Sequence, residues 1–374
     1  MRFLIVDHMY GAFVDCVYNS TSGLANDDYA TQKSRLDSEL FGETQFEVAA
    51  LKAQGHEAHD DLVNIKPLQQ AWCREHGLKL AGSKLGVRRR RGFVPWPTRS
   101  DDRWIGEALV ARVRQLKPDV VHIQSMDLLK PWVIAAVRAE TRLVVGQVAT
   151  ELPAGKSYRD YGLVVSSIPG LVDRFRREGA DAEWLPLAFE PSIRDAIPPV
   201  KRDISVSFVG SFTTRYADRL EIVEAVARAA PLKTWTGDAA AIAMDSPVRP
   251  TIERPAWGRA MYEVLARSLM TVNTHGRIAG EDANNLRLYE ATGMGTLLVT
   301  DARRNMGQLF EVGSEVLTYR DAEDCARVVR YYLDHPAEAA SIAAAGQRRT
   351  LRDHTWANRM ARLVELVTPR LGPR

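Results

Sequence analysis

Cysteine is scarce in this 374-residue chain: Cys16, Cys73 and Cys325 are the whole supply. Odd in number, widely spaced and without a Cys-x-x-Cys pair, they argue against a disulfide framework and a structural zinc site and fit a reducing cytoplasm. Long apolar runs are also lacking. The first, Phe3 to Val6, gives way at once to Asp7 and His8, too short for a signal peptide, and no later run approaches the ~20 residues of a membrane span. Charge of one sign is not in excess either: 50 Lys and Arg against 47 Asp and Glu leave a net +3, far from the basic surplus of a nucleic-acid binder, so nucleic acid is not expected as a partner. No Asp-x-Asp follows a strand and no His, Cys and carboxylate cluster has metal-ligand spacing, so neither a metal nor a resident cofactor is expected.

What is present is alternation. Short β-branched runs follow one another with helical patterns between them, the signature of parallel sheets covered by helices, and the chain does this twice. The first set of predicted strands is Phe3 to Val6, Val120 to Ile123, Leu143 to Val148, Leu163 to Ser166 and Glu183 to Leu187, with helices at Gln45 to Gln54, Arg103 to Leu116 and Pro131 to Ala139. Pro191 to Pro199 is rich in proline and poorly periodic, and reads as a linker. The second set is Ile204 to Val209, Leu232 to Trp235, Leu269 to Thr274, Thr296 to Thr300 and Glu315 to Tyr319, with helices at Arg219 to Ala229, Trp257 to Ala266, Leu286 to Thr292 and Trp356 to Val367. The expected fold class is therefore α/β, two doubly wound Rossmann-like domains facing across a cleft, over residues 1–195 and 200–350, with 351–374 as a C-terminal helix. Such a pair places a ligand between the carboxyl ends of its strands.

The most informative stretch runs from Asn273 to Asp301 as strand, loop, helix, small-residue turn, strand. Asp282 and Asn284 suit the N-cap ahead of Leu286, and Gly293 and Gly295 suit the helix end. A helix terminus at strand ends is a site for phosphate, and a diphosphate is the natural guest. Glu290, four residues after Leu286, falls on the inward face of that helix, where a carboxylate needs a reason. Two readings stand open. In one, Glu290 accepts hydrogen bonds from ribose hydroxyls and Asp282 holds a transferred sugar; in the other, Asp282 is a cap and Glu290 a core-edge carboxylate satisfied by protein donors.

Asp282 and Glu290, with seven residues between them, resemble the donor-binding motif of retaining group 1 glycosyltransferases of the GT-B architecture. The run Asn284-Asn285-Leu286-Arg287-Leu288-Tyr289-Glu290-Ala291, followed by Gly293 and Gly295, resembles the CgeB-like (spore-maturation-type) branch, as do Ile204 to Arg219 and His354-Thr355-Trp356 with Arg359. The resemblance covers the second half well and the first loosely. Asp282 stands where glutamate is more usual, Asn284 and Asn285 replace a glycine-aromatic-glycine loop, and the usual lysine after the first strand of the second domain is absent. The resemblance implies a glycosyltransferase that moves a sugar from a nucleotide-diphosphate sugar to an acceptor hydroxyl, with retention. The acceptor would be a glycan, a lipid-linked molecule or a small molecule. It also implies a last helix returning toward the first domain. A nucleotide-sugar epimerase of similar build and a non-catalytic nucleotide-sugar-binding subunit are the alternatives.

Further residues are assigned on position. Gly210 and Ser211 end a strand and allow close backbone approach, with Arg215 as first choice for the diphosphate and Arg219 either beside it or on a solvated helix face. Trp235 and Gly237 fall where the resemblance puts the base, and Asn284, Asn285, Leu286 and Arg287 complete the donor side. His275, at a strand end, suits a sugar or phosphate oxygen. On the acceptor side, His8, Tyr10, Gly11 and Phe13 form the loop leaving the first strand. Asp282, His8 and Arg215 are the catalytic candidates, and His8 or Asp15 would be the base if the reaction inverted. His122 reads as a satisfied core histidine. The run Arg88 to Arg91, ahead of Phe93 and Trp96, is either a surface for peripheral contact with an anionic membrane or a solvated loop.

Overall fold

The computed structural model describes residues 1–79, 102–124, 126–150, 158–213 and 218–372, and the backbone alone of 85–89 and 95–99. Among the described residues the strands are β1 (Arg2–Asp7), β2 (Glu57–Leu62), β3 (Leu85–Arg89), β4 (Pro95–Arg99), β5 (Val120–Ile123), β6 (Leu143–Gln147), β7 (Leu163–Ser166), β8 (Ala182–Trp184), β9 (Ile204–Val209), β10 (Leu232–Trp235), β11 (Ile252–Glu253), β12 (Ser268–Asn273), β13 (Leu297–Asp301) and β14 (Leu317–Tyr319). They form one six-stranded sheet in the order β2-β1-β5-β6-β7-β8, another in the order β11-β10-β9-β12-β13-β14, and the antiparallel pair β3-β4. Both large sheets are wholly parallel. The reason lies in composition: Phe3, Leu4, Ile5 and Val6 are all buried, and a strand apolar on both faces needs helices on both.

In each sheet the order reverses beside the first strand, between β1 and β5 and between β9 and β12. Loops diverge to opposite faces at such a reversal and leave a crevice at the carboxyl ends. The residues after β1, β5, β9 and β12 therefore face the space between the two domains.

Most predicted strands stand where expected, β3, β4 and β11 are additions, and two of the remaining differences have a physical cause. β2, Glu-Ala-His-Asp-Asp-Leu, has no β-branched pattern; it is an edge strand whose buried Asp61 is held by Gln69 at 2.6 Å and Arg112 at 3.4 Å. The expected strand Glu183 to Leu187 shrinks to three residues. The stretch expected as an irregular linker contains a short helix, Ser192–Ala196, because Ile193 and Ile197 are drawn into the core.

The chain end ties the domains together. The Trp356–Val367 helix opens with a capping box between Thr355 and Asn358 and packs on the Thr44–Ala53 helix of the first domain. Phe189 donates its N–H to the His354 carbonyl at 2.9 Å, Trp356 donates to the Phe189 carbonyl at 3.1 Å, and Arg359 reaches the Pro186 carbonyl at 2.9 Å. One hydrophobic cluster consequently runs from Phe3 and Val165 to Leu288 and Leu363.

Candidate active site

Glu290 lies on the short helix Arg287–Gly293 and is buried. Its carboxylate accepts from Arg287 at 2.8 Å and shares a small cavity with Tyr262. Burial raises its pKa and Arg287 opposes the rise. Arg287 also donates to the Val209 carbonyl at 3.2 Å, so the pair is braced against the end of β9. The expected caps do not act as such: Leu286 occupies the N-cap without a side-chain bond, and Asn285 Oδ1 receives the Leu288 N–H at 3.3 Å. Asn285 is in turn held to Asn273 at 2.8 Å. Leu286 lines a small cavity in front of Glu290, and Asn284 is half-buried in the preceding loop.

Asp282 is buried and bridges the domains. It accepts from the backbone N–H of Gly170, in the first turn of the Pro169–Arg177 helix, at 3.1 Å and from Arg304 at 2.9 Å. The position suits a carboxylate because that helix end presents free N–H groups and the positive end of its dipole. A Cβ on Gly170 would sit 3.3 Å from the Asp282 carboxylate, so glycine lets the domains meet there.

His275 is fixed at the end of β12: its Nδ1 lies 2.6 Å from Asp301 Oδ1 and its N–H donates to the same oxygen at 3.0 Å. Nε2 is buried and makes no hydrogen bond among the described residues. Burial alone would raise the Asp301 pKa, yet His275 and Arg303, which donates at 2.7 Å, hold it down at about 2. Arg219 lies on no solvated face. It is buried, donating to Thr274 Oγ1 at 2.7 Å, the Thr274 carbonyl at 2.8 Å and the Ser211 carbonyl at 2.7 Å. It thereby fastens the Gly210-Ser211 turn to the end of β12. Trp235 is half-buried and Gly237 exposed beyond β10.

On the facing domain, His8 Nδ1 lies 3.2 Å from Asp7 Oδ1, and that hydrogen bond raises the His8 pKa against the effect of burial. The expected loop is shorter than predicted: a helix starts at Gly11, exposing Tyr10 at 62 % and burying Phe13 against Phe41 with ring centroids 4.3 Å apart. Asp15 is exposed on that helix. His122 is a core residue of β5 but not a well-satisfied one. Its Nδ1 is 3.9 Å from Glu47, beyond hydrogen-bond range, and burial lowers its pKa to about 4.

Arg215 and Arg90 and Arg91 lie outside the described residues, as do the side chains of Arg88 and Arg89. Among the described residues no group of His, Cys, Asp and Glu is arranged to hold a metal, and no helix is long and apolar enough to cross a membrane. Sequence reasoning missed Glu43, Glu47, Tyr262, Gly170 and Arg304. The signal for the first two was the spacing of four that stacks carboxylates on one helix face; for the others there was none, because each is defined by its partner.

Two parallel Rossmann-like domains facing across a cleft define the GT-B architecture. Residues 199–365 match the model of a glycosyl transferase-like family. The whole chain resembles solved glycosyltransferase structures: sucrose-phosphate synthase of Thermosynechococcus elongatus (14% identity, 99% of each chain covered, TM-score 0.58), Anabaena Alr3699/HepE in complex with UDP and glucose (11%, 99% of this chain and 100% of that one, 0.60), and AviGT4, involved in avilamycin A biosynthesis (16%, 99% and 98%, 0.58). At these identities the likeness is one of fold. No curated protein matches the sequence.

Proposed function

We propose that this protein is a glycosyltransferase that moves a hexose-like sugar from a nucleotide-diphosphate sugar to an acceptor hydroxyl, with retention and without a metal. The observation that carries the reading is Glu290: a buried carboxylate at the domain interface, braced by Arg287 and beside Tyr262, on the segment that matches the glycosyl transferase-like model. In this reading Glu290 accepts hydrogen bonds from the donor ribose, and a charged acceptor of fixed orientation is what two neighbouring hydroxyls require. Asp282 meets the transferred sugar where the two domains touch, and His275 offers its unpaired Nε2 to a sugar or phosphate oxygen. The turn Gly210-Ser211, held by Arg219, and Arg215 beyond it would stabilise the departing diphosphate by fixed dipoles and charge.

His8, Tyr10 and Gly11 stand on the acceptor side, and Trp235 and Gly237 on that of the base. The absence of an Asp-x-Asp in the sequence supports departure of the diphosphate without a metal. The run Asn284 to Ala291 supports a nearer kinship to the CgeB-like branch, and the sparse cysteines support a cytoplasmic site of action.

Incubation with nucleotide sugars tests the reading. A transferase slowly releases free nucleoside diphosphate and sugar even without acceptor. Formation of an isomeric nucleotide sugar would replace this assignment with an epimerase, and binding without consumption would replace it with a binding subunit.

A further inference from the structure

Residues 38–43 lie between the domains and over Glu290, with Phe41 packed on Phe13 of the first domain at 4.3 Å between ring centroids and Glu39 paired with Arg35. The Glu39 carbonyl accepts from the Arg259 N–H at 2.7 Å. Opposite it, Gly258 has φ +46°, and a Cβ there would meet the Glu39 oxygen at 2.1 Å, so the contact has the form of a seat that only glycine provides. Phe41 packs on Trp257 with ring centroids 5.5 Å apart. Leu40 is held at φ +56°, a conformation a leucine keeps only when surrounding contacts impose it. The segment then delivers Glu43 to the wall of the cavity that Glu290, Tyr262 and Leu286 also line.

That cavity measures about 40 Å³, room for a few waters and not for a pentose. Resting on the reading that Glu290 holds the donor ribose, we propose that residues 38–43 form a strap gating the Glu290 pocket, with Glu43 as the positioning residue that couples nucleotide entry to lifting of the strap.

The charges around Glu43 supply a readout. It faces Asp7 at the end of β1, Glu47 one turn along its own helix, and Glu290 and Tyr262 across the interface; Arg287 braces Glu290, and Glu190 lines the same cavity. Burial first, then Asp7, then Glu290, push its pKa from 4.5 up to about 8. With the strap seated, Glu43 is thus the neutral acid at pH 7. With the strap lifted it returns to water and ionises. Nucleotide binding then releases a proton between those two values, so binding tightens as pH rises toward 8 and levels off above it.

The experiment is calorimetric titration of the full chain with UDP, GDP and dTDP, continued with the tightest of the three at pH 6, 7, 8 and 9 in two buffers of different ionisation enthalpy. Wild type should release close to one proton per nucleotide at pH 7 and nearly none at pH 9. Glu43→Gln should abolish that proton, and the ratio of wild-type to Glu43→Gln affinity should rise by up to about tenfold per pH unit from 6 to 8. Titration of the nucleotide phosphate cancels in the ratio. A flat ratio, or a proton count that the substitution leaves unchanged, overturns the gate. The wild-type count needs no variant to fold. Glu290→Gln in the same series separates the failures: if it weakens nucleotide binding while the Glu43 ratio stays flat, the gate alone falls, and if it has no effect, the donor site and the gate fall together.

Discussion

Gly170 of one domain donates its backbone N–H to Asp282 of the other at 3.1 Å, across 112 residues of sequence. The carboxylate proposed to meet the sugar is therefore also a joint between domains, and Arg304 balances its charge from its own side. Asp282→Asn keeps the shape but loses charge on both contacts. Turnover should fall more than nucleotide affinity, since the sugar and not the ribose lies at Asp282 in the proposed site. Comparing steady-state kcat with nucleotide Kd by calorimetry checks this; a loss confined to Kd would move Asp282 away from the sugar.

Glu290→Gln replaces a charged acceptor with a neutral amide of the same size. Donor affinity should drop by about 1.5–3 kcal/mol, the range of charge-assisted hydrogen bonds, while the melting temperature stays close to that of wild type. Undiminished affinity for nucleoside diphosphate together with a lower melting temperature would make Glu290 a structural residue.

Asp301 gives a stability prediction with a definite sign. Its pKa is depressed from 3.8 to about 2 because bonds from His275 and Arg303 outweigh burial. A carboxylate with a lowered folded pKa stabilises the fold above its unfolded value and loses that contribution as pH falls toward the folded one. Asp301→Asn should therefore cost about 2 kcal/mol near pH 7, and the difference from wild type should shrink as pH drops below 4. Urea unfolding at pH 7, 5 and 3 reads it; a penalty independent of pH would mean that the amide loses packing instead of charge.

Gly258→Ala should destabilise the protein by about 1–3 kcal/mol, because it adds both a strained positive φ and a clash with backbone that cannot rotate away. Differential scanning calorimetry should show a lower melting temperature. An unchanged transition would mean that the Glu39 strap yields without cost.

Donor consumption should persist in EDTA, since the proposed stabilisation of the leaving diphosphate comes from Arg215 and the Gly210-Ser211 turn. Loss of activity restored by manganese or magnesium would replace that account with metal-assisted departure.

By itself the sequence determined the two parallel sheets and their order along the chain. Runs such as Val120–Ile123 and Ile204–Val209 are mostly apolar, with only His122 and Ser207 as buried polar exceptions, and that pattern is local. It also marked Glu290, a charge on an apolar helix face. Edge strand β2 escaped because its buried Asp61 is satisfied by Arg112 and Gln69 from other elements, which no periodicity records. Only the tertiary structure decided that Arg219 is a buried brace, that Asp282 joins the domains and that Glu43 comes to face Glu290. These three depend on partners brought near by domain packing, and the energy of a buried charge is set by those partners and not by its neighbours in sequence.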